Sequence, residues 1–323
     1  MLKVARILAG LALLAALFYF RLIDLDALRK ALAHPWLLVL AALAGLVTIP
    51  FAGLRWHILL RSQGLVLHLW DTIRIVAMGA FFATFLPGSA GGDLVRGYYI
   101  FQVSNGRRTS ALLSIFIDRL IGVFAFVLFG VLATLTRPRA NYGVVEYGML
   151  TLAVLFLLAI VILFRFGHPI AQLVNRLLTG RSKRLAYIID DAGEALHQYF
   201  RQWPSVVVAL AVSFALVLMV AVSIILVAAA TEVGTLTMIE YGIAGVYAMI
   251  ANSLPFTPGG LGIGEGAFAS ACVALAPSTS GTPYGTIFLA FRCVVVISTL
   301  PGLVAYLIYP NRAQLLVSAN PNR

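Results

Sequence analysis

Long apolar runs dominate the pattern of this chain, at about 4–20, 36–60, 111–135, 148–166, 205–230 and 285–309, with almost no charge inside them. A helix needs about 20 apolar residues to cross the hydrocarbon of a bilayer. The pattern therefore predicts an all-α polytopic integral membrane protein with about six full spans. The first run follows Lys3 and Arg6 as a secretory signal would, yet Arg21 stands where small cleavage-site residues belong, so it is expected to remain as an uncleaved span.

Two further apolar segments begin like spans and then break. Ile75 to Phe85 runs into Leu86-Pro87-Gly88-Ser89-Ala90-Gly91-Gly92-Asp93. Ile243 to Leu254 runs into Pro255-Phe256-Thr257-Pro258-Gly259-Gly260-Leu261-Gly262-Ile263-Gly264-Glu265. Each resumes as a shorter apolar stretch, giving broken helical hairpins at about 75–103 and 243–275. The breaks match in detail: a proline leads through glycines to an acid, and 26 or 27 residues after that acid an arginine lies inside the next span, Arg119 or Arg292. Matching Gly/Pro breaks in two halves point to a transporter-type site. The expected organisation is a single transmembrane domain, 1–323, with repeat halves at 36–135 and 204–310.

Cationic loops orient it. Arg61 and Arg74 precede the first break and Arg96, Arg107 and Arg108 follow it, so both flanks belong in the cytoplasm and the segment is expected to be re-entrant. Lys3, Arg6, the 165–201 connection and Arg312 then fall inside, which predicts cytoplasmic termini. The second break enters from outside, beside Glu232 and Glu240. This leaves Arg21, Arg29, Lys30, Arg137 and Arg139 outside, near Asp24, Asp26 and Glu146. Between the halves, Ile170, Leu173, Val174, Leu177 and Leu178 repeat at helical spacing, as do Leu185, Ile188, Ile189, Ala192, Leu196, Tyr199, Phe200 and Trp203. Two amphipathic helices in the cytoplasmic interface are predicted over 169–203, separated by Gly180-Arg181-Ser182-Lys183-Arg184.

Composition narrows the function. Hydrophobic residues make up 61% of the 323 and charged ones 11%, with a formal net charge of +11. That basic excess has no polar module on which to form a nucleic-acid surface, so anionic lipid is the expected partner. Cys272 and Cys293 lack metal or disulfide spacing, and so do the histidines, so neither a metal nor a cofactor is expected. No Walker A or GxSxG sequence occurs, and Gly262-Ile263-Gly264-Glu265-Gly266-Ala267 lacks the βαβ setting of a dinucleotide site.

Chemistry is left to charges at membrane depth: Arg55, Asp93, Arg96, Asp118, Arg119, Glu265 and Arg292. A charge there costs about 2.5–3.5 kcal/mol on the insertion scale, so it marks pairing or function. Asp93 with Arg119 and Glu265 with Arg292 are the expected pairs, each locking a hairpin to the next span. Four arginines against three acids leave one positive charge that a phosphate would neutralise. Gly91, Gly92, Gly262 and Gly264 permit close approach at the breaks, and the half-helix ends would hold an anion unless Asp93 and Glu265 occupy them as caps. For Arg55 and Arg96 the favoured alternative is snorkelling to the cytoplasmic surface.

Phe85-Leu86-Pro87-Gly88-Ser89-Ala90-Gly91-Gly92-Asp93-Leu94-Val95-Arg96, the later Asp118-Arg119, and Pro258-Gly259-Gly260-Leu261-Gly262-Ile263-Gly264-Glu265 resemble the lysylphosphatidylglycerol synthase transmembrane family, which contains the flippase domain of bacterial multiple-peptide-resistance proteins. The resemblance covers nearly the whole chain. It implies an α-helical protein of the bacterial inner membrane that moves a phospholipid or lipid-linked headgroup between leaflets. By motif position it makes Asp93, Arg96, Asp118, Arg119, Glu265 and Arg292 the site. The aminoacyl-transferase chemistry of bifunctional members sits in a separate soluble domain that nothing in this sequence encodes, so no enzyme activity is expected. A lipid flippase is the leading expectation. The alternatives are a non-transporting accessory subunit of a lipid-modifying or glycosyltransferase pathway, with a homo-oligomer or enzyme partner, and an intramembrane transferase using Asp93 or Asp118.

Overall fold

The computed structural model describes residues 25–85, 90–104, 107–138, 142–178, 183–234, 236–253, 261–279 and 281–308. Among them are eleven α-helices and no strand: α1 (Leu25–Ala33), α2 (Pro35–Ser62), α3 (Leu69–Phe85), α4 (Ala90–Val103), α5 (Arg108–Leu135), α6 (Val144–Leu178), α7 (Lys183–Arg201), α8 (Trp203–Thr231), α9 (Met238–Ser253), α10 (Ile263–Leu275) and α11 (Gly285–Ile308). Helix α2, α5, residues Val144–Ile162 of α6, α8 and α11 are each long and apolar enough to cross a membrane. The protein is an integral membrane protein. The expected span at 4–20 lies outside the described residues, as do Pro87, Gly88, Pro258, Gly259 and Gly260 of the breaks.

Two element boundaries differ from the sequence reading. The span expected to end near 166 continues without interruption to Leu178 in α6, so the first predicted amphipathic segment is the end of that helix. Gly167 and Pro169 cost a helix interior about 1 and 3 kcal/mol, yet α6 runs through both, as long helices carrying an interior proline can. The short α1 was not foreseen either. It packs on α8, with Lys30 and His34 reaching Glu232 at 3.8 and 3.2 Å.

Helices α2 and α8 form the spine and pack most extensively of any pair. Ser223 donates to the Ala41 carbonyl at 3.0 Å, and Arg55 donates to Ser213 at 3.3 Å, so the two run antiparallel. Both hairpins flank this spine. In the first, a methyl at Gly92 would meet the Gly79 carbonyl oxygen at 2.4 Å and Ala83 at 3.0 Å, and Gly79 faces Arg96, which fixes α3 and α4 as close antiparallel neighbours. Its two ends come back together, because Arg107 donates to the Gln63 carbonyl at 3.2 Å and ties the α4–α5 connection to the α2–α3 connection. In the second hairpin, α9 and α10 pack together, with Tyr241 stacked on Phe268. Its ends also meet, since Tyr284 ahead of α11 lies against Gly234 ahead of α9. The antiparallel spine places these two meeting points at opposite ends of the bundle.

Helix α7 seats on the C-terminal end of α2 by satisfying carbonyls that a helix terminus leaves open. Gln198 donates to Ser62 O at 2.8 Å and Tyr199 to Leu59 O at 3.3 Å, while Gln63 donates back to Ala195 O at 3.1 Å. Burial raises the pKa of the Tyr199 hydroxyl well above the usual phenol value, so it stays a neutral donor there.

Helix α11 crosses α3 at close quarters. A Cβ on Gly302, which follows Pro301, would stand 2.0 Å from the Ala77 carbonyl oxygen. Gly302→Ala must push the helices apart, and its thermal unfolding in detergent should show a loss of about 1–3 kcal/mol. Gly266→Ala on α10, where a Cβ meets nothing within 4 Å, should be neutral or slightly stabilising in the same assay.

Candidate functional site

Helices α2, α4 and α5 converge on Asp118, which is 1% exposed. Arg55 from α2 grips it with a bidentate fork, Nε to Oδ1 at 2.6 Å and Nη2 to Oδ2 at 3.0 Å, and Arg96 from α4 adds Nη2 to Oδ2 at 2.9 Å. Arg96 also lies 4.3 Å above the centre of the buried Trp56 ring, whose Nε1 donates to Ser114 at 3.1 Å. A desolvated guanidinium over an indole gains about 2 kcal/mol. Arg55 and Arg96 are 9% and 8% exposed. The snorkelling expectation is therefore wrong for both: the Asp118 carboxylate and the Trp56 face hold them inside the helix packing.

The cluster continues toward the first break. Arg119 Nε donates to Asp93 Oδ2 at 2.8 Å, and Arg96 Nη1 lies 3.8 Å from Asp93 Oδ1. The run Arg55–Asp118–Arg96–Asp93–Arg119 thus places three guanidiniums against two carboxylates. Its Arg119 end is the open one, with 38% of that side chain exposed.

At the second break Arg292 on α11 grips Glu265 on α10, Nε to Oε1 at 2.7 Å and Nη2 to Oε2 at 3.2 Å. Glu265 is fully buried and also accepts the Gly262 N–H at 2.9 Å, so it caps its own helix while it holds the arginine. Gly262 enters that cap at φ +82°, in the region only glycine adopts without strain. Both pairs expected from the spacing, Asp93 with Arg119 and Glu265 with Arg292, are present. Gly92 and Gly264 mark the close approaches behind them, the latter with its missing Cβ 2.4 Å from Phe288. Gly91 is buried in the first turn of α4.

Several participants were not read from the sequence. Asn252, in the last turn of α9, accepts from Arg292 Nη2 at 3.3 Å, so Arg292 holds both arms of its hairpin. Trp56 and Ser213 complete the surroundings of Arg96 and Arg55. At the Glu232 end of the bundle, Arg137 bridges Glu146 and Glu240, the second at 2.8 Å. The only available signal was the three-residue spacing from Gly143 to Glu146 and from Thr237 to Glu240, which marks helix-capping glutamates.

A model of the lysylphosphatidylglycerol synthase TM region matches residues 4–302. The chain belongs to this family. Its membership fits a membrane protein with a lipid-related role. No curated protein and no solved structure matches the chain.

The Asp118 cluster sets a stability test. Asp118→Ala leaves two buried guanidiniums without their counter-charge and should cost about 3–5 kcal/mol in detergent unfolding. Arg119→Ala breaks a partly exposed pair and should cost no more than about 1 kcal/mol.

Proposed function

We propose that this family member moves an anionic phospholipid or a lipid-linked phosphate between leaflets, with the headgroup held by the arginine clusters while the acyl chains stay in the bilayer. The observation that carries this reading is the arginine-rich composition of the first cluster, three guanidiniums against two carboxylates, with its Arg119 end partly exposed. A membrane-embedded site with more arginine than carboxylate is short of an anion. Phosphate suits it, because a guanidinium presents parallel N–H donors to two of its oxygens.

The pattern of helix contacts supports an inverted repeat as the framework for movement. Each packing relation of one half has an image in the other: α3 with α4 and α9 with α10, α4 with α5 and α10 with α11, α11 with α3 and α5 with α9. Hairpins whose ends meet at opposite ends of the bundle are the arrangement from which alternating access arises by rocking one repeat on the other. The end carrying Arg61, Arg74, Arg107, Arg108 and Arg201 is read as cytoplasmic by its basic excess. Helix α7 at that end is read as interfacial.

In this mechanism Arg119 and Arg292 meet the headgroup by exchanging part of their carboxylate contact for phosphate oxygens. Asp118, Arg55 and Arg96 keep the site in place. Glu265, held by its cap and by Arg292, serves as the fixed partner of that arginine.

The test is transbilayer movement of labelled phosphatidylglycerol and of a labelled zwitterionic lipid in proteoliposomes. Wild type should move the anionic lipid faster, and folded Arg119→Ala and Arg292→Ala proteins should each lose about tenfold or more, as removal of a charge-assisted bond predicts. Movement of neither lipid by wild type overturns the reading in favour of an accessory subunit.

A further inference from the structure

A buried ionic group lies outside the arginine clusters near the two breaks. Arg137, just past the end of α5, donates from Nη1 to Glu146 at the start of α6 and from Nη2 to Glu240 at the start of α9. Arg137, Glu146 and Glu240 have side chains 12%, 1% and 14% exposed. Each glutamate also caps its own helix: Glu146 accepts the Gly143 N–H at 2.8 Å, and Glu240 accepts the Thr237 N–H at 2.8 Å and its hydroxyl at 3.0 Å. Two carboxylates are thus held fixed and face each other across a single guanidinium. Tyr247, about two turns further along α9, reinforces the junction by donating to the Val145 carbonyl.

This arrangement lies at the far end of the same helix that carries Asn252. Helix α9 therefore runs between two arginine clasps: Arg137 holds Glu240 in its first turn, and Arg292 holds Asn252 in its last. From Glu240 to Asn252 the helix rises about 18 Å. The first clasp is furnished by the connection after α5, so it joins the first half of the chain to the leading arm of the second hairpin. With the guanidinium withdrawn, the two buried carboxylates lose their shared counter-charge and the tie that Arg137 makes between α6 and α9 is gone.

We propose that Arg137 is a positioning residue that latches the second hairpin shut at its own end of the bundle, and that releasing Glu240 from Arg137 admits water along α9 toward Arg292. The inference rests on the alternating-access reading above. It assigns the outer gate to residues outside the headgroup site.

Sided thiol labelling tests it without any lipid cargo. Ala248 on α9 is fully buried, and it is replaced by cysteine in a Cys272→Ala, Cys293→Ala background. The full chain in proteoliposomes is exposed to a membrane-impermeant maleimide from one face at a time. In otherwise wild-type protein the cysteine should label slowly from both faces. With Arg137→Gln added, labelling should rise about tenfold or more from the Glu240 face alone, and the swap Arg137→Glu with Glu240→Arg should bring it back toward the slow rate. Should Arg137→Gln not fold, Glu240→Gln takes its place, since it frees α9 and leaves the Arg137–Glu146 pair intact. Unchanged labelling in a folded variant, equal acceleration from both faces, or loss of fold in both variants overturns the latch in favour of a purely structural tie. A protein that moves no lipid but shows the one-sided acceleration would overturn the cargo reading and keep the gate.

Discussion

An arginine at membrane depth must be answered by a carboxylate, and each arginine of the two clusters finds one on another element. Arg55 on α2 meets Asp118 on α5, Arg96 on α4 meets the same group, Arg119 on α5 meets Asp93 on α4, and Arg292 on α11 meets Glu265 on α10. Removing one partner from a fully buried pair such as Arg55–Asp118 costs about 3–5 kcal/mol, far more than the intact pair contributes relative to an apolar substitute. The pairs therefore act as constraints on assembly more than as sources of stability. They select the one arrangement of α2, α4 and α5 in which no guanidinium is left in hydrocarbon, and they tie each half-helix after a break to the span that follows it.

The same residues explain why some of the site was legible in the sequence and some was not. Asp93 and Arg119, like Glu265 and Arg292, could be paired because a repeated spacing of 26 or 27 residues singles them out among very few charges. The apolar runs likewise gave five of the spans, because a bilayer allows few solutions for a long uncharged segment. Arg55 with Asp118 carries no such spacing. It joins residues 63 apart through the packing of α2 on α5, and an arginine near the end of a long apolar run looks the same in sequence whether it turns inward or snorkels. Trp56 decides the matter for Arg96, and nothing in its local sequence distinguishes it from an interfacial tryptophan. The continuation of α6 to Leu178 was missed for a different reason: hydropathy falls where a span leaves the bilayer, whereas the helix does not have to end there.

Glutamates at the starts of helices do two jobs in this fold. Glu146, Glu240 and Glu265 each accept the N–H of the residue three positions earlier and also receive an arginine, Glu146 and Glu240 on the remaining oxygen and Glu265 on both. The cap fixes the rotamer, so the arginine meets a carboxylate that has already lost its freedom, and the entropy of forming the pair falls mainly on one side chain. A capping glutamate is also desolvated in part by its own helix, which strengthens its hold on the arginine and its repulsion of a second carboxylate once the arginine leaves.

The two halves differ where the packing alone would make them alike. Setting Asp93 against Glu265 and Arg119 against Arg292 places Arg96 opposite Phe268 and Asp118 opposite Phe291. The first half thus fills this layer with an ionic cluster, and the second with Phe268, Phe288 and Phe291, whose rings lie 5.5–5.7 Å apart. The aromatic layer needs no counter-ion and leaves Arg292 and Glu265 balanced. The ionic layer sets three guanidiniums, Arg55, Arg96 and Arg119, against the two carboxylates of Asp93 and Asp118. In the proposed inverted repeat the hairpins would respond alike to a rocking motion, while the chemical asymmetry would give the first a demand for an anion that the second lacks. Binding at the Arg119 end would remove that demand and loosen the hold of Asp93 on Arg119, so occupancy of the site and freedom of the first hairpin are linked by the same charge.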